Sequence, residues 1–285
     1  MGVMRQGAKW TAASVDLVRR PPPGLVVLIY HRVGRRSPIE VDLPLALFEE
    51  QMAWLAGNAR VLTLDEAVAQ LGEAPPPSSR SGSTGSGSTA SGPTRPSVVV
   101  TFDDGTQDFA SDALGVLVTH RVPATLYVST AFVEERRSFP DDGAPISWSA
   151  LGEAVSTGLV TVGSHTHTHA LLDRVEPQEA AEELDRSIEL IGERLGVRAD
   201  HFAYPKAVPP GAAVEEQVRA RFASAALAGT RPNVAGVADP HRLWRSPIQV
   251  ADGMRFFRRK VRGGMGAEDS LRTAINLLRY RGATN

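Results

Sequence analysis

Residues 98–129 read VVVTFDDGTQDFASDALGVLVTHRVPATLYVS and contain the pattern that decides the fold class. An apolar run at 98–102 is followed by a helical stretch at 109–120 and by a second apolar run at 124–129. A short, continuous apolar run is typical of a strand that is buried on both faces, as in a parallel sheet. The segment therefore predicts a strand, a helix and a second strand in succession.

The same alternation continues along most of the chain. Apolar runs of strand length also occur at 25–30, 159–163, 201–204 and 224–228. Amphipathic helices are predicted at 45–55 and 177–195, and two basic helices are predicted at 254–261 and 268–280. Strands that alternate with helices predict an α/β fold built on a parallel sheet or barrel.

Composition excludes several classes of function. The 285 residues include 31 Lys and Arg against 32 Asp and Glu, a net charge of −1, which argues against nucleic acid as a partner. The absence of cysteine excludes thiolate catalysis and leaves His and carboxylates as metal ligands. No apolar run approaches the roughly 20 residues of a membrane span. Residues 1–23 lack the apolar core of a signal peptide, so we expect a cytoplasmic protein.

The chain is expected to form one domain, at 21–285, behind an N-terminal lead-in at 1–20. Within it, 19 of the 22 residues at 75–96 are Pro, Ser, Gly or Thr. Such a segment buries too little apolar surface to offset its ordering entropy, so we expect a disordered surface loop. A flexible interdomain linker is the alternative, but the roughly 50 residues before it are few for a separate domain.

Three of the seven histidines lie within five residues, at 165–169, directly after the predicted strand at 159–163. His165 and His169 are spaced i, i+4, which on a helical turn places both rings on one face. Two imidazoles at this spacing are typical of half a zinc or iron site, which a carboxylate completes. A surface turn that is rich in His is the alternative.

The carboxylate candidates are Asp103 and Asp104, which directly follow the predicted strand at 98–102. Adjacent carboxylates at a strand end point in different directions, so that one can bind a cation while the other remains free as a base. Asp-Asp-Gly is also ordinary turn chemistry, and the motif by itself favours that interpretation.

Taken together, the two motifs resemble a known family. TFDDG at 101–105 followed by SHTHTHALL at 164–172 resembles the NodB-homology polysaccharide deacetylases, which are metal-dependent sugar N- and O-deacetylases. Further segments resemble the same family, in particular the subgroup with a Tyr-His pair after the first strand: LIYHRV at 28–33, LFEEQMAWL at 47–55, LTLDEAV at 62–68, HFAYPKA at 201–207 and HRLWRSPI at 241–248. The resemblance implies a distorted (β/α) barrel in a single domain. It also implies a hydrolase that removes the acetyl group from an N-acetylated sugar or glycan and releases acetate.

The resemblance assigns roles to individual residues. Asp104, His165 and His169 would bind one divalent metal ion, with Zn²⁺ expected first and Co²⁺, Ni²⁺ or Fe²⁺ as alternatives. Asp103 would be the general base. In the family the oxyanion is stabilised by the backbone N–H that follows a motif proline, and here that residue is Lys206.

Tyr204, two residues before Lys206, is a candidate substrate-binding residue whose ring could line a sugar-stacking groove.

Two departures from the family pattern require substitutes. Ala203 occupies a position that often carries an Arg paired with the catalytic Asp, and we expect Arg245 to replace it, with Arg242 second. The late His that supplies the general acid is absent, because no histidine follows His241. His31 is the predicted acid, since the carboxyl ends of barrel strands share one face. His241 is the alternative.

Two other functions remain open at this point. One is hydrolysis of another C–N amide bond on the same fold, which the intact Asp-His-His set disfavours. The other is a non-catalytic glycan-binding homologue, which the missing Arg and late His favour. The oligomeric state is left open.

Overall fold

Seven parallel strands close into a barrel in the computed structural model, which describes Lys9 and residues 21–73 and 95–267. In chain order the strands are β1 (Val26–Tyr30), β2 (Arg32–Val33), β3 (Asp42–Leu43), β4 (Arg60–Val61), β5 (Ser97–Phe102), β6 (Ala124–Val128), β7 (Val160–Ser164), β8 (His201–Ala203), β9 (Ser224–Ala228) and β10 (Leu243–Pro247). The ring runs β1-β10-β9-β8-β7-β6-β5, and β5 pairs back with β1 to close it. The short strand β4 pairs in parallel with the first two residues of β5, outside the ring. Strands β2 and β3 form a separate two-stranded sheet.

Helices lie between the strands and cover the outside of the barrel. They are α1 (Leu45–Asn58), α2 (Leu64–Gly72), α3 (Leu114–His120), α4 (Thr130–Glu134), α5 (Trp148–Ser156), α6 (Pro177–Leu195), α7 (Ala212–Arg221) and α8 (Gly253–Val261). A π-helical turn, Phe109–Ala113, precedes α3. The predicted (β/α) barrel is therefore confirmed. Within the described ranges, no helix combines the length and the apolar character needed to cross a bilayer.

Three expectations fall mostly outside the described residues. The helix predicted at 268–280 lies wholly outside them, and the loop predicted at 75–96 does so except for Arg95 and Pro96. The lead-in at 1–20 is described only at Lys9.

The strands are apolar at nearly every position because both of their faces are buried. Alternate residues of a strand point to opposite faces, so one set fills the barrel and the other meets the helices. The inner set belongs to one buried cluster: Val27, Val99, Tyr127, Ala203, Ala226 and Leu243. The outer set belongs to another, beneath α1 and α3: Val26, Leu28, Tyr30, Val98, Val100 and Phe102.

Helix α2 closes the amino-terminal end of the barrel. Thr63 and Glu66 form a capping box that fixes the start of this helix. Leu64, Ala67 and Leu71 of the helix are buried in the same cluster as the inner strand residues. With that end filled, the carboxyl ends of the strands form the face on which a site can be built.

The middle of the barrel is filled by the ring of Tyr127, which requires a glycine beside it. Gly163 is paired with Tyr127 across β6 and β7. A Cβ at position 163 would lie 2.7 Å from Tyr127 Cδ1 and 2.7 Å from the carbonyl oxygen of His201. The tyrosine ring therefore fits only because residue 163 has no side chain.

Lys9 contributes a buried ion pair to the domain, which the sequence analysis did not anticipate. Its Nζ donates to Asp252 Oδ1 at 2.6 Å, and Lys260 Nζ donates to Asp252 Oδ2 at 2.9 Å. Burial alone would raise the pKa of Asp252, but the two ammonium groups lower it overall. Lys9 is thus tied to the region that follows β10.

We expect Gly163→Ala to lower the free energy of unfolding by about 1–3 kcal/mol, because the added methyl group overpacks the barrel interior. The matched control is Gly152→Ala in α5, where a Cβ would meet no atom within 4 Å. That variant should be stabilised by about 0.5–1 kcal/mol, since Ala has the higher helix propensity. Urea denaturation measures both. Equal stabilities of the two variants would contradict this packing account.

Candidate metal centre and active site

Four of the predicted site residues lie at the carboxyl ends of three strands of the barrel. His31 follows β1, Asp103 and Asp104 follow β5, and His165 follows β7. In a parallel barrel these ends share one face. The first and last parts of the chain are brought together here, because β1 pairs with both β5 and β10.

Asp104, His165 and His169 form a cluster with the spacing of metal ligands. Asp104 Oδ1 lies 3.6 Å from His165 Nε2 and 3.5 Å from His169 Nε2. One ligand atom from each of the three residues lies within 4.8 Å of the other two. Ligands about 2.0–2.2 Å from a zinc ion at tetrahedral angles are separated by roughly 3.3–3.6 Å. The three side chains therefore fit a divalent ion.

Hydrogen bonding and burial prepare His165 to act as a ligand. Its Nδ1 lies 2.7 Å from the carbonyl oxygen of Ala203, a contact that requires Nδ1 to carry the proton. Burial lowers the pKa of His165 to about 4, so the ring is neutral near pH 7. Its Nε2 lone pair is then directed at the cluster.

Asp104 reaches the histidines because the chain turns sharply after β5. Asp104 has φ +74° and Gly105 has φ +94°, both in the left-handed region that glycine and, to a lesser degree, Asp tolerate. Burial alone would raise the pKa of Asp104. The neighbouring His169, His31 and His165 lower it by more, so the carboxylate is ionised.

The two imidazoles come together without a helical turn at 165–169. The segment is an irregular loop in which Thr166 and His169 each have φ +64°. Its path is set by α4, because the N–H of Ala131 donates to the carbonyl oxygen of His167 at 2.8 Å. His167 points away from the cluster, and its Nδ1 lies 2.9 Å from Thr130 Oγ1.

Asp103 is held by a buried guanidinium group. Arg245 donates from Nη1 to Asp103 Oδ1 at 2.6 Å and from Nη2 to Oδ2 at 2.9 Å. Arg245 is 0% exposed and Asp103 5% exposed. Burial would raise the pKa of Asp103, but Arg245, His165 and His31 lower it overall. The carboxylate is therefore both oriented and ionised.

Thr101 is a site residue that the sequence analysis missed. Its hydroxyl accepts a hydrogen bond from Arg245 Nη1 at 3.1 Å and donates to the carbonyl oxygen of Leu28 at 2.7 Å. The signal was present, because the period of a strand places Thr101 on the same face as Asp103.

His31 lies on the site face, where its charge contributes to the lowered pKa values of Asp103 and Asp104. Its Nδ1 is buried and has no hydrogen-bond partner among the described residues. The two second choices lie elsewhere. His241 and Arg242 precede β10 and so lie at the amino-terminal end of the barrel, where His241 contacts Phe222 and Arg242 pairs with Glu215.

The two residues predicted to contact substrate differ sharply in exposure. Lys206 is exposed in a turn where it has φ +51°, and its backbone N–H donates no hydrogen bond within the described chain. Tyr204 is 1% exposed and packs edge-to-face on Phe202, with ring centroids 5.1 Å apart. It belongs to the layer between the barrel and its helices, so its ring offers no surface on which a sugar could stack.

Comparison with known proteins agrees with this architecture. The model of the polysaccharide deacetylase family matches residues 90–224, a range that contains Asp103, Asp104, His165 and His169. Over these residues the chain is similar to the polysaccharide deacetylase family.

Among curated proteins similar to this chain, the chitooligosaccharide deacetylase of Bradyrhizobium sp. (strain ANU 289) is 33% identical over 157 residues, which are 53% of this chain and 60% of that protein. The chitooligosaccharide deacetylase of Rhizobium leguminosarum bv. phaseoli is 31% identical over 54% of this chain and 58% of that protein. The chain thus spans less than two thirds of these relatives. The solved structure of IcaB from Ammonifex degensii has the same fold, with a TM-score of 0.66, 24% identity, and coverage of 85% of this chain and 98% of that one.

We expect Arg245→Met to lower the free energy of unfolding of this domain by about 3–5 kcal/mol, because it leaves Asp103 buried without a counter-charge. The double variant Asp103→Leu/Arg245→Met removes both charges and should recover most of that loss. Arg242→Met is the control, since its half-exposed guanidinium leaves Glu215 still paired with Arg219 and should cost under about 1 kcal/mol. Urea denaturation of the three variants measures these differences. A double variant as unstable as Arg245→Met would show that the pair is not the origin of the effect.

Proposed function

We propose that this protein removes the acetyl group from an N-acetylated sugar or glycan, releasing acetate and a free amine. The observation that carries the proposal is the combination of a three-ligand cluster with a separate, oriented carboxylate one residue away. Asp104, His165 and His169 would hold one divalent ion, with Zn²⁺ as the proposed metal, and Asp103 stays free for proton transfer. The names of the rhizobial relatives support a chitooligosaccharide-like substrate.

Three protein ligands leave coordination positions open to the reactants. A divalent ion bound there would polarise the acetyl carbonyl group and lower the pKa of a water molecule. Asp103 accepts the proton of the attacking water, which requires an ionised carboxylate with a fixed direction. The two hydrogen bonds from Arg245 supply both properties.

Lys206 supplies a hydrogen-bond donor for the negative charge that develops on the acetyl oxygen. Its backbone N–H is free, and its left-handed conformation is held by the hydrogen bond from the N–H of Ala207 to the carbonyl oxygen of Tyr204 at 2.8 Å. A donor fixed before the reaction stabilises an oxyanion without reorganisation.

His31 protonates the departing amine. An amine cannot leave as its anion near neutral pH, so the C–N bond breaks together with proton delivery. His31 is half-buried on the site face and lies within electrostatic reach of both carboxylates. Asp103, protonated by the first step, is the alternative donor.

We expect His165→Ala and Asp103→Asn to separate metal binding from proton transfer. His165→Ala should lose the bound divalent ion and acetate release together. Asp103→Asn should keep the metal but lose a factor of about 10²–10⁴ in kcat, because an amide cannot accept the proton.

Metal content by mass spectrometry and acetate release from N-acetylated chitooligosaccharides measure the two properties. Asp142→Asn, an exposed carboxylate outside the cluster, is the control and should change neither. Full metal occupancy in His165→Ala would refute the ligand assignment. A near-normal kcat in Asp103→Asn would move the base to another residue.

We expect His31→Ala to lose about 10²–10⁴ in kcat on an N-acetyl amide but less than about tenfold on an activated acetyl ester, whose leaving group needs no proton. His241→Ala, at the other end of the barrel, should be normal on both substrates. The comparison of kcat for the two substrates is the measurement. Equal losses for His31→Ala on amide and ester would assign His31 to substrate positioning and proton return to Asp103.

A further inference from the structure

Two of the three proposed metal ligands lie on one strained loop. Residues 165–169 carry His165 and His169, and Thr166 and His169 are both left-handed. A left-handed conformation costs roughly 1–2 kcal/mol for a residue other than glycine. The loop keeps this path only because its backbone groups are held from outside.

On one side, the start of α4 and the residue before it bind the loop carbonyl groups. Ser129 Oγ donates to the carbonyl oxygen of His165 at 3.1 Å. The N–H groups of Thr130 and Ala131 donate to the carbonyl oxygens of Thr166 and His167 at 3.4 and 2.8 Å. These contacts fix the carbonyl side of the loop and leave its N–H groups facing the other way.

On the opposite side, one carboxylate of α6 binds the N–H groups. Glu183 Oε2 accepts hydrogen bonds from the N–H of His167 at 2.9 Å and of Thr168 at 2.8 Å. Its Oε1 accepts the Thr168 hydroxyl at 2.8 Å. One side chain thus holds the backbone of two consecutive loop residues from the side opposite α4.

One turn further along α6, Ser187 extends the same contact. Its hydroxyl lies 2.5 Å from Ser164 Oγ, which accepts the N–H of Thr166 at 3.2 Å. Residues four apart share a helix face, so Glu183 and Ser187 face the loop together. Helix α6 therefore accounts, directly or through Ser164, for three consecutive N–H groups between the two histidines.

We infer that Glu183 is a positioning residue for the metal centre: it holds the loop so that His165 and His169 both reach Asp104. The inference rests on the proposed metal-dependent function. Glu183 is not itself a ligand, because its carboxylate oxygens are engaged by the peptide groups and hydroxyl of residues 167–168. The length of the Glu183 side chain is what matters, because the carboxylate must extend from the backbone of α6 to the N–H groups of the loop.

Three variants of Glu183 and one control separate the effect of side-chain length from the effect of charge. Glu183→Ala removes both, Glu183→Asp keeps the charge but is one methylene shorter, and Glu183→Gln keeps the length without the charge. The glutamine oxygen can still accept both N–H groups, and its amide can donate to the Thr168 hydroxyl. Glu182→Ala is the matched control, because Glu182 is an exposed neighbour on α6 that binds only Gln178 in the described chain.

The measurements are the Kd for Co²⁺, the visible absorption spectrum of the Co²⁺-loaded protein, and the Tm of the metal-free protein. Loss of a group that orients metal ligands typically weakens metal binding by about 10–100-fold. We expect that range for Glu183→Ala and Glu183→Asp, together with an altered Co²⁺ spectrum. Glu183→Gln should stay within about threefold of the wild type, and Glu182→Ala should match it.

Each outcome has a distinct meaning. If Glu183→Ala binds Co²⁺ as tightly as Glu182→Ala, the inference is wrong while the metal site stands. If Glu183→Gln is as weak as Glu183→Ala, the effect is one of charge and the positioning role is also wrong. A wild-type protein that binds no Co²⁺ or Zn²⁺ would refute the proposed function itself. Should Glu183→Ala fail to fold, the difference between Glu183→Asp and Glu183→Gln still decides.

Discussion

The guanidinium group of Arg245 lies inside a barrel whose other interior positions are largely apolar, and its burial constrains the residues around it. Removing such a charge from water costs several kcal/mol unless its hydrogen bonds are replaced. Asp103 provides the counter-charge, while Thr101 and the carbonyl oxygen of Leu227 accept further N–H groups. Its carbon Cζ lies 5.1 Å from the centroid of the Tyr127 ring, which fits the interior only because residue 163 is glycine. The interior of the barrel is in this sense built around one ion pair.

The same ion pair explains how two adjacent carboxylates acquire different surroundings. Asp103 continues the direction of β5 into the barrel and meets Arg245, while Asp104 turns outward through the left-handed step before Gly105. One carboxylate is thereby tied to a fixed cation of the protein and the other is left to the histidines. A pair of like charges this close would otherwise raise one of the two pKa values.

Sequence reasoning located the site because strand ends are predictable. A continuous apolar run ending in Asp103 and Asp104, and another ending shortly before His165, place these residues on one face once the strands are parallel. Arg245 could be nominated because HRLWRSPI at 241–248 resembles an Arg-containing segment of the polysaccharide deacetylases and Ala203 cannot supply the guanidinium. The i, i+4 spacing of His165 and His169 would bring the two rings together on a helical turn. The segment is instead a loop held by partners at the start of α4 and on α6, which no local pattern reveals.

The surroundings of Tyr204 also could not be predicted from the local sequence. Its position after β8 placed it near the site, but β8 has only three residues, and the alternation of its faces directs Tyr204 outward with Phe202. Lys9 was missed for a related reason, since a buried ion pair with a partner 243 residues away has no local signature. Contacts between distant segments decide both cases.

The partner of Asp103 arrives 142 residues later in the chain, on the last strand of the ring. During synthesis, a nascent chain that has emerged through β8 already includes Asp104, His165 and His169 but has no guanidinium to place beside Asp103. Sealing the barrel at that stage would bury an uncompensated carboxylate, so we expect the ring to stay open and hydrated until β10 is delivered. The three candidate metal ligands are therefore all present in the chain well before the residue that neutralises the proposed base.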